Sequence, residues 1–291
     1  MDDYYKSFLA QMSQIEVMAR SIKGASAKEF DQLTTNHSNL IKNGLEKYSQ
    51  SHHNMFFRAL STGEPMFYDY TSLSIDQLKD SLVKRKNKHY QWLLSEAFEL
   101  FEDLVEYIYA FIGQREPKTW PAKELCGETE SSLSTKPFDW WLQKSEKQAK
   151  LSVKLECLRK RFPNLSLIEQ KNHYDINFRF AITLIEMLRH IAVHSGGRIK
   201  REDDFIRKVF EQAGMANNGK YAPEKLNLIR NFLNKDDHGV HVSLLEVEQH
   251  GTPFHIDRLG AVFDWLLAYS DYVYRVLVRP TYVFKLTGGD V

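Results

Sequence analysis

Apolar residues recur every three or four positions through most of this chain, which is the period of an α-helix. Phe8, Met12, Ile15 and Met18 set the pattern near the start, and Phe30, Leu33, Leu40 and Leu45 continue it. The spacing predicts helices across residues 3–60, one of them covering 27–50. The run Ser61-Thr-Gly-Glu-Pro65 interrupts them. Ser74, followed by Asp76 and Gln77, opens a further helix that runs through the basic knot Lys84-Arg85-Lys86-Asn87-Lys88. Residues 89–112 are long, apolar and helical, stopped by Gly113 and Pro117, and 115–137 read as a Pro/Gly/Ser/Thr-rich loop. Amphipathic helices follow at 138–161, stopped by Pro163, and at 173–194, closed by Ser195-Gly196-Gly197.

After residue 200 the texture changes. Helices are expected at 202–213, 223–234 and 257–278. Between them, 238–256 alternates around a Gly-Thr-Pro break and reads as a β-hairpin, and residues 281–286 read as a short strand. The expected fold class is mainly α, a helical bundle with an N-terminal helical extension (1–84) and a domain over 85–291 that carries an insertion at about 198–256.

Composition narrows the class. Lys and Arg number 39 and Asp and Glu 38, so the net charge is +1. The charge gives no global attraction to nucleic acid, and any contact with it must come from local patches. The pairing of low hydrophobicity with high net charge that marks disorder is missing. No stretch nears the ~20 apolar residues of a membrane-spanning helix. Cys126 and Cys157 are too few and too far apart for a disulfide framework or a Cys-rich zinc site. The N-terminal segment is acidic and then polar, unlike the basic start and apolar stretch of a secretory signal. The expectation is a cytoplasmic protein with no membrane segment.

One segment carries chemistry: AITLIEMLRHIAVHSGGR, residues 181–198. Ile182, Ile185, Leu188 and Ala192 form its apolar stripe, and beside the stripe sit Arg189, His190 and His194. At about 100° per residue, Arg189 and His194 are about 140° apart around the helix, while His190 and His194 share a face. Arg189 and His194 can therefore line the two walls of one groove. A guanidinium is permanently charged and its donors fit a phosphate. An imidazole moves protons near neutral pH. The two together supply what cleavage of RNA by its own 2′-hydroxyl needs, with no cofactor. The bland alternative is that charged groups near a helix C-terminus simply answer the helix dipole.

Arg189-His190-Ile191-Ala192-Val193-His194, at the end of an apolar helix and before small residues, resembles the Arg-x4-His signature of the HEPN superfamily. The resemblance is specific at these six residues and extends in outline over about 85–280. It implies an up-and-down four-helix bundle made of 89–112, 138–161, 173–194 and 257–278. It also implies a homodimer in which two motifs face one cleft, and a metal-independent endoribonuclease acting as a toxin, an abortive-infection protein or part of another phage-defence system. In that reading Arg189 holds the phosphate, His194 is acid or base, and His190 orients either. Glu99, with Glu102 close behind, is the acidic residue that faces the motif from the first large helix. Arg198, Lys200 and Arg201 would draw the RNA backbone, although Glu202, Asp203 and Asp204 stand ready to balance them. An antitoxin or another defence-system subunit is the implied protein partner. One HEPN subgroup carries tyrosine two residues after the motif histidine, where Gly196 stands here. Other family members only bind, so the alternative is a non-catalytic interaction or nucleotide-sensing subunit.

Elsewhere, His238, His241, His250 and His255 cluster without the three or four converging ligands that a metal needs. Trp92, Tyr107, Tyr109 and Phe111 are expected to be core.

Overall fold

A computed structural model describes residues 1–45, 50–125, 127–148, 150–217, 219–237, 239–248 and 255–278. The protein is mainly helical, with a few small antiparallel strands. The described residues group into two compact units: Met1–Glu16 together with the chain from Gln91 onward, and Val17–Tyr90.

In the second unit, α1 (Asp2–Lys42) leads to the strands β1 (Gln50–Arg58) and β2 (Pro65–Ser74), and then to α2 (Ile75–Arg115). Residues 50–58, expected to be helical, are therefore strand, and 27–42 belong to the single helix α1. The reason lies in two turns. Leu45 N–H bonds Leu40 O at 2.8 Å while Gly44 takes φ +69°, a helix stop that suits glycine. The run at 61–65 is not a break between helices but the turn of a hairpin, with Gly63 at φ +71° and Ala59 N–H bonded to Glu64 O at 2.9 Å. Aromatic runs on either side of such a turn pair readily as strands. The start of α2 is as expected. Ser74 Oγ accepts from Gln77 N–H at 3.3 Å and Gln77 Oε1 accepts from Ser74 N–H at 2.8 Å, a reciprocal cap. Arg85 of the basic knot pairs with Glu29 of α1.

In the first unit, residues 138–161 form two helices, α4 (Phe138–Gln148) and α5 (Leu151–Arg161), after a short α3 (Glu130–Leu133). Pro163 does not merely stop α5. It is the first residue of α6 (Pro163–Gln170), where its fixed φ and missing N–H cost nothing. Next come α7 (Phe178–His194), β3 (Arg198–Ile199), α8 (Glu202–Gln212), α9 (Pro223–Arg230), β4 (Leu233–Asp236), β5 (Gly239–Val242), β6 (Val247–Glu248), β7 (His255–Ile256) and α10 (Arg258–Val278). The helix expected over 223–234 thus ends early and gives way to β4. The hairpin expected over 238–256 divides: β5 turns back onto β4 and β3, while β6 and β7 make their own two-residue ladder. The strand expected at 281–286 lies outside the described residues, as do His238 and His250.

The core of this unit is shared by α2, α7 and α10. Phe98, Phe101, Leu104, Leu184, Ile185, Leu188, Val262 and Phe263 are all buried, and Tyr269 sets its ring against Phe101 and Phe178. Trp92, expected in this core, is instead 59% exposed, because it projects from α2 away from the buried Leu93 and Leu94. Two buried charges are held in pairs. Lys154 meets Glu106, and Arg159 makes three hydrogen bonds of 2.8–3.0 Å to Glu169, which also accepts from Tyr269 Oη. No helix among the described residues is long and apolar enough to cross a membrane.

Candidate functional site

The site is built on the last two turns of α7. Asn177 caps the start of this helix, accepting from Phe180 N–H at 3.0 Å. Ile182, Ile185, Leu188 and Ala192 are buried, as their spacing implied. That burial turns the opposite side of α7 outward. Arg189 lies at one border of the outward strip and His190 and His194 at the other, with exposed Val193 between them.

The two borders meet different neighbours. On the α2 side, Arg189 Nη2 donates to Glu99 Oε1 at 2.8 Å. The carboxylate is 59% exposed and the guanidinium 25%, so this contact sits at the surface edge of the helix pair. Arg189 Nε is buried and has no partner. On the other side, the rings of His190 and His194 are 4.6 Å apart. The His190 imidazole is held below its ordinary pKa of 6.5, first by desolvation and then by the charges of His194, Arg189 and Lys208. Lys208 belongs to α8, which packs on α7. The open strip of α7 is therefore flanked by α2 and α8.

Behind Arg189 the environment turns acidic. Glu102 is raised by burial and by Glu106, against the pull of Arg189 and Lys154. Glu186, one turn before Arg189, is raised by burial and by Glu102. The guanidinium thus faces one surface carboxylate, with two half-buried carboxyls behind it whose ionisation is disfavoured by burial and by neighbouring carboxylates.

Gly196 (φ +60°) and Gly197 (φ +88°) end α7, and Gly197 N–H closes onto Ile191 O at 3.0 Å. Gly197 also presses against the Gln91 side chain, whose amide donates to Val242 O at 2.8 Å. A Cβ on Gly197 would lie 2.5 Å from Gln91 Nε2. Gly197→Ala is expected to cost about 2 kcal/mol from backbone strain and the displaced amide. Urea unfolding at matched slope measures it, and an unchanged midpoint would contradict this account of the helix end.

Of the residues singled out from sequence, Arg189 and Glu99 are brought into contact, and the rings of His190 and His194 lie side by side, tilted by 48°. Arg198, Lys200 and Arg201 are exposed just beyond α7, with Arg198 opposite His241 in the β3–β5 ladder. Arg201 pairs with Asp204 at 3.5 Å, so part of this basic run is balanced locally. Among the described residues no group of three or more His, Cys, Asp or Glu could hold a metal ion. Sequence reading missed Lys208 and Gln91, because both reach the site from distant segments. Glu186 is visible in the sequence as an acidic residue three positions before Arg189 on the same helix. No protein-family profile, curated protein or solved structure matches the chain.

The charge environment has a measurable consequence. A folded pKa below 6.5 means that His190 is neutral at pH 7, and its stabilising contribution is lost as pH falls through the folded value. In an NMR titration its ring should titrate below 6.5 and move upward in Lys208→Ala. A midpoint at or above 6.5 would contradict the assigned environment.

Proposed function

We propose that this chain is a metal-independent endoribonuclease of the HEPN type, a toxin or antiviral-defence effector that works as a homodimer with a composite site. The observation that carries the proposal is the outward strip of α7, bordered by a guanidinium on one side and a close pair of imidazoles on the other. Two copies placed strip to strip would present two guanidiniums and two histidine pairs to one phosphate.

The chemistry follows from these groups. One His194 removes the proton of the ribose 2′-hydroxyl. The 2′-oxygen bonds to phosphorus and the bond to the 5′-oxygen breaks. The second His194, protonated, gives its proton to that leaving oxygen. Arg189 meets the charge that develops on the non-bridging oxygens, with Glu99 aiming its fork. His190 orients the phosphate or holds the His194 ring in place. Arg198 and Lys200 would meet flanking phosphates, and their contribution would weaken with salt.

The products define the test. RNA incubated with the full chain in EDTA should yield fragments ending in 2′,3′-cyclic phosphate and 5′-hydroxyl. No cleavage, or ends with a free 3′-hydroxyl, rejects the 2′-hydroxyl route. The contact between Arg189 and Glu99 also favours a second reading, a non-catalytic interaction or nucleotide-sensing subunit in which that arginine is a structural tie. Growth separates them: expression that is toxic, with toxicity lost in Arg189→Ala and His194→Ala, belongs to the enzyme alone.

A further inference from the structure

Two contacts fix the register of α2 against α7. Arg189 meets Glu99, and Gly197, just past the end of α7, presses against Gln91. The numbers rise along one segment as they fall along the other, so the two helices run antiparallel. This register sets Val193 level with Ser95 and Gly196 level with Trp92.

Trp92 also shares a side of α2 with Glu99. Seven residues make nearly two turns, which brings the two side chains within about 20° of each other around the helix and about 10 Å apart along it. Glu99 marks the surface edge where α2 borders the strip of α7. Trp92 therefore stands on that same edge, at the end where His194 lies. Among the described residues of this unit, Trp92 at 59% and Val193 at 49% are the most exposed large apolar side chains. Each helix contributes one of them, at the same end of the groove. An indole left in water forfeits the stabilisation that burying its large area would give. Arg198, exposed and directly after Gly197, puts a cation near this apolar edge.

We propose that Trp92 is a stacking platform for an unpaired base of RNA, the one adjoining the phosphate held at Arg189 and His194. The inference rests on reading the strip of α7 as an RNA site. An apolar edge of two side chains is far smaller than the roughly 800 Å² that a protein interface takes from each partner, but it matches one planar base. Every base has a π-face, so the indole accepts a base whatever its identity. Bases within a regular duplex offer side chains no such face, so the RNA is single-stranded where it is held. Arg198 meets the phosphate of the stacked nucleotide, and salt weakens that contact.

The test uses the full chain and a short 2′-O-methyl oligoadenylate, which has no 2′-hydroxyl to attack and is bound without being cut. Trp92→Ala should weaken its binding at least about fivefold, the lower end of what one stacked base contributes. Trp92→Tyr should restore most of the affinity. The same oligomer without its bases should bind equally to wild type and both variants. In cleavage of RNA, Trp92→Ala should raise KM and leave kcat nearly unchanged, because stacking holds substrate and transition state alike. The exposed position lets both variants keep their helical circular dichroism. Unchanged affinity in Trp92→Ala, equal losses on the base-bearing and abasic strands, or a variant that only dissociates the oligomer overturns the proposal. Base-dependent binding without cleavage leaves the platform standing and removes the nuclease. Cleavage in EDTA with an unaltered KM in Trp92→Ala does the reverse. A wild type that binds neither strand removes both.

Discussion

Arg189→Ala is expected to slow RNA cleavage by about 10²–10³-fold, the usual cost of removing one preorganised donor from a developing oxyanion. Stability should barely move. The guanidinium meets Glu99 at a surface edge, with the carboxylate 59% exposed, and such pairs contribute under about 1 kcal/mol. Removing Arg189 also removes a buried Nε that has no partner, which offsets part of the lost contact. Activity and folding therefore separate at this residue. Arg189→Lys keeps the charge and loses the planar fork, so it should recover only part of the rate. Glu99→Gln leaves the guanidinium in place but releases its aim, and its loss should fall on kcat and stay smaller than that of Arg189→Ala. Initial rates beside thermal unfolding curves check all three. Wild-type cleavage by Arg189→Ala would remove the arginine from the mechanism.

Glu169→Ala should be the most damaging substitution for folding. Arg159 and Glu169 are 8% and 2% exposed and share three hydrogen bonds, and Tyr269 Oη donates to the same carboxylate. Burial and the carboxylate hold the Tyr269 phenol well above its ordinary range, so it stays a neutral donor. Removing Glu169 leaves a guanidinium buried between α5, α6 and α10 with only the partly exposed Glu156, at 3.8 Å, as counter-charge. Breaking a buried pair in this way costs about 3–5 kcal/mol. For a chain of this size that is a fall in melting temperature on the order of 10 °C. Glu169→Gln keeps an acceptor and should cost less. A denaturant midpoint unchanged in Glu169→Ala would show that the pair bears no part of the stability.

Legibility in the sequence followed burial. The stripe Ile182, Ile185, Leu188 and Ala192 fixed the inward face of α7, and the outward position of Arg189, His190 and His194 followed from about 100° per residue. Glu99 was legible for a different reason: its helix carried the acidic residue that the HEPN resemblance implies, and it does contact Arg189. The reciprocal cap of Ser74 and Gln77 was written locally and formed as written. What failed was long-range or unpartnered. Lys208 and Gln91 approach α7 from elements whose packing no local pattern records. Residues 50–74 misled because both faces of the hairpin are apolar and exposed, so the one-in-two alternation of a half-buried strand never develops. Pro163 alone implies a helix stop, yet a proline suits the first position of a helix equally well, and here it opens α6.

In the proposed mechanism His194 transfers a proton at an RNA phosphate. Cleavage in EDTA by His194→Ala, beside wild type and with the mass of each in solution established, tests it most directly. Loss of at least about 10²-fold is expected, with the oligomer intact. Cleavage at the wild-type rate, yielding the same fragment ends, would contradict it.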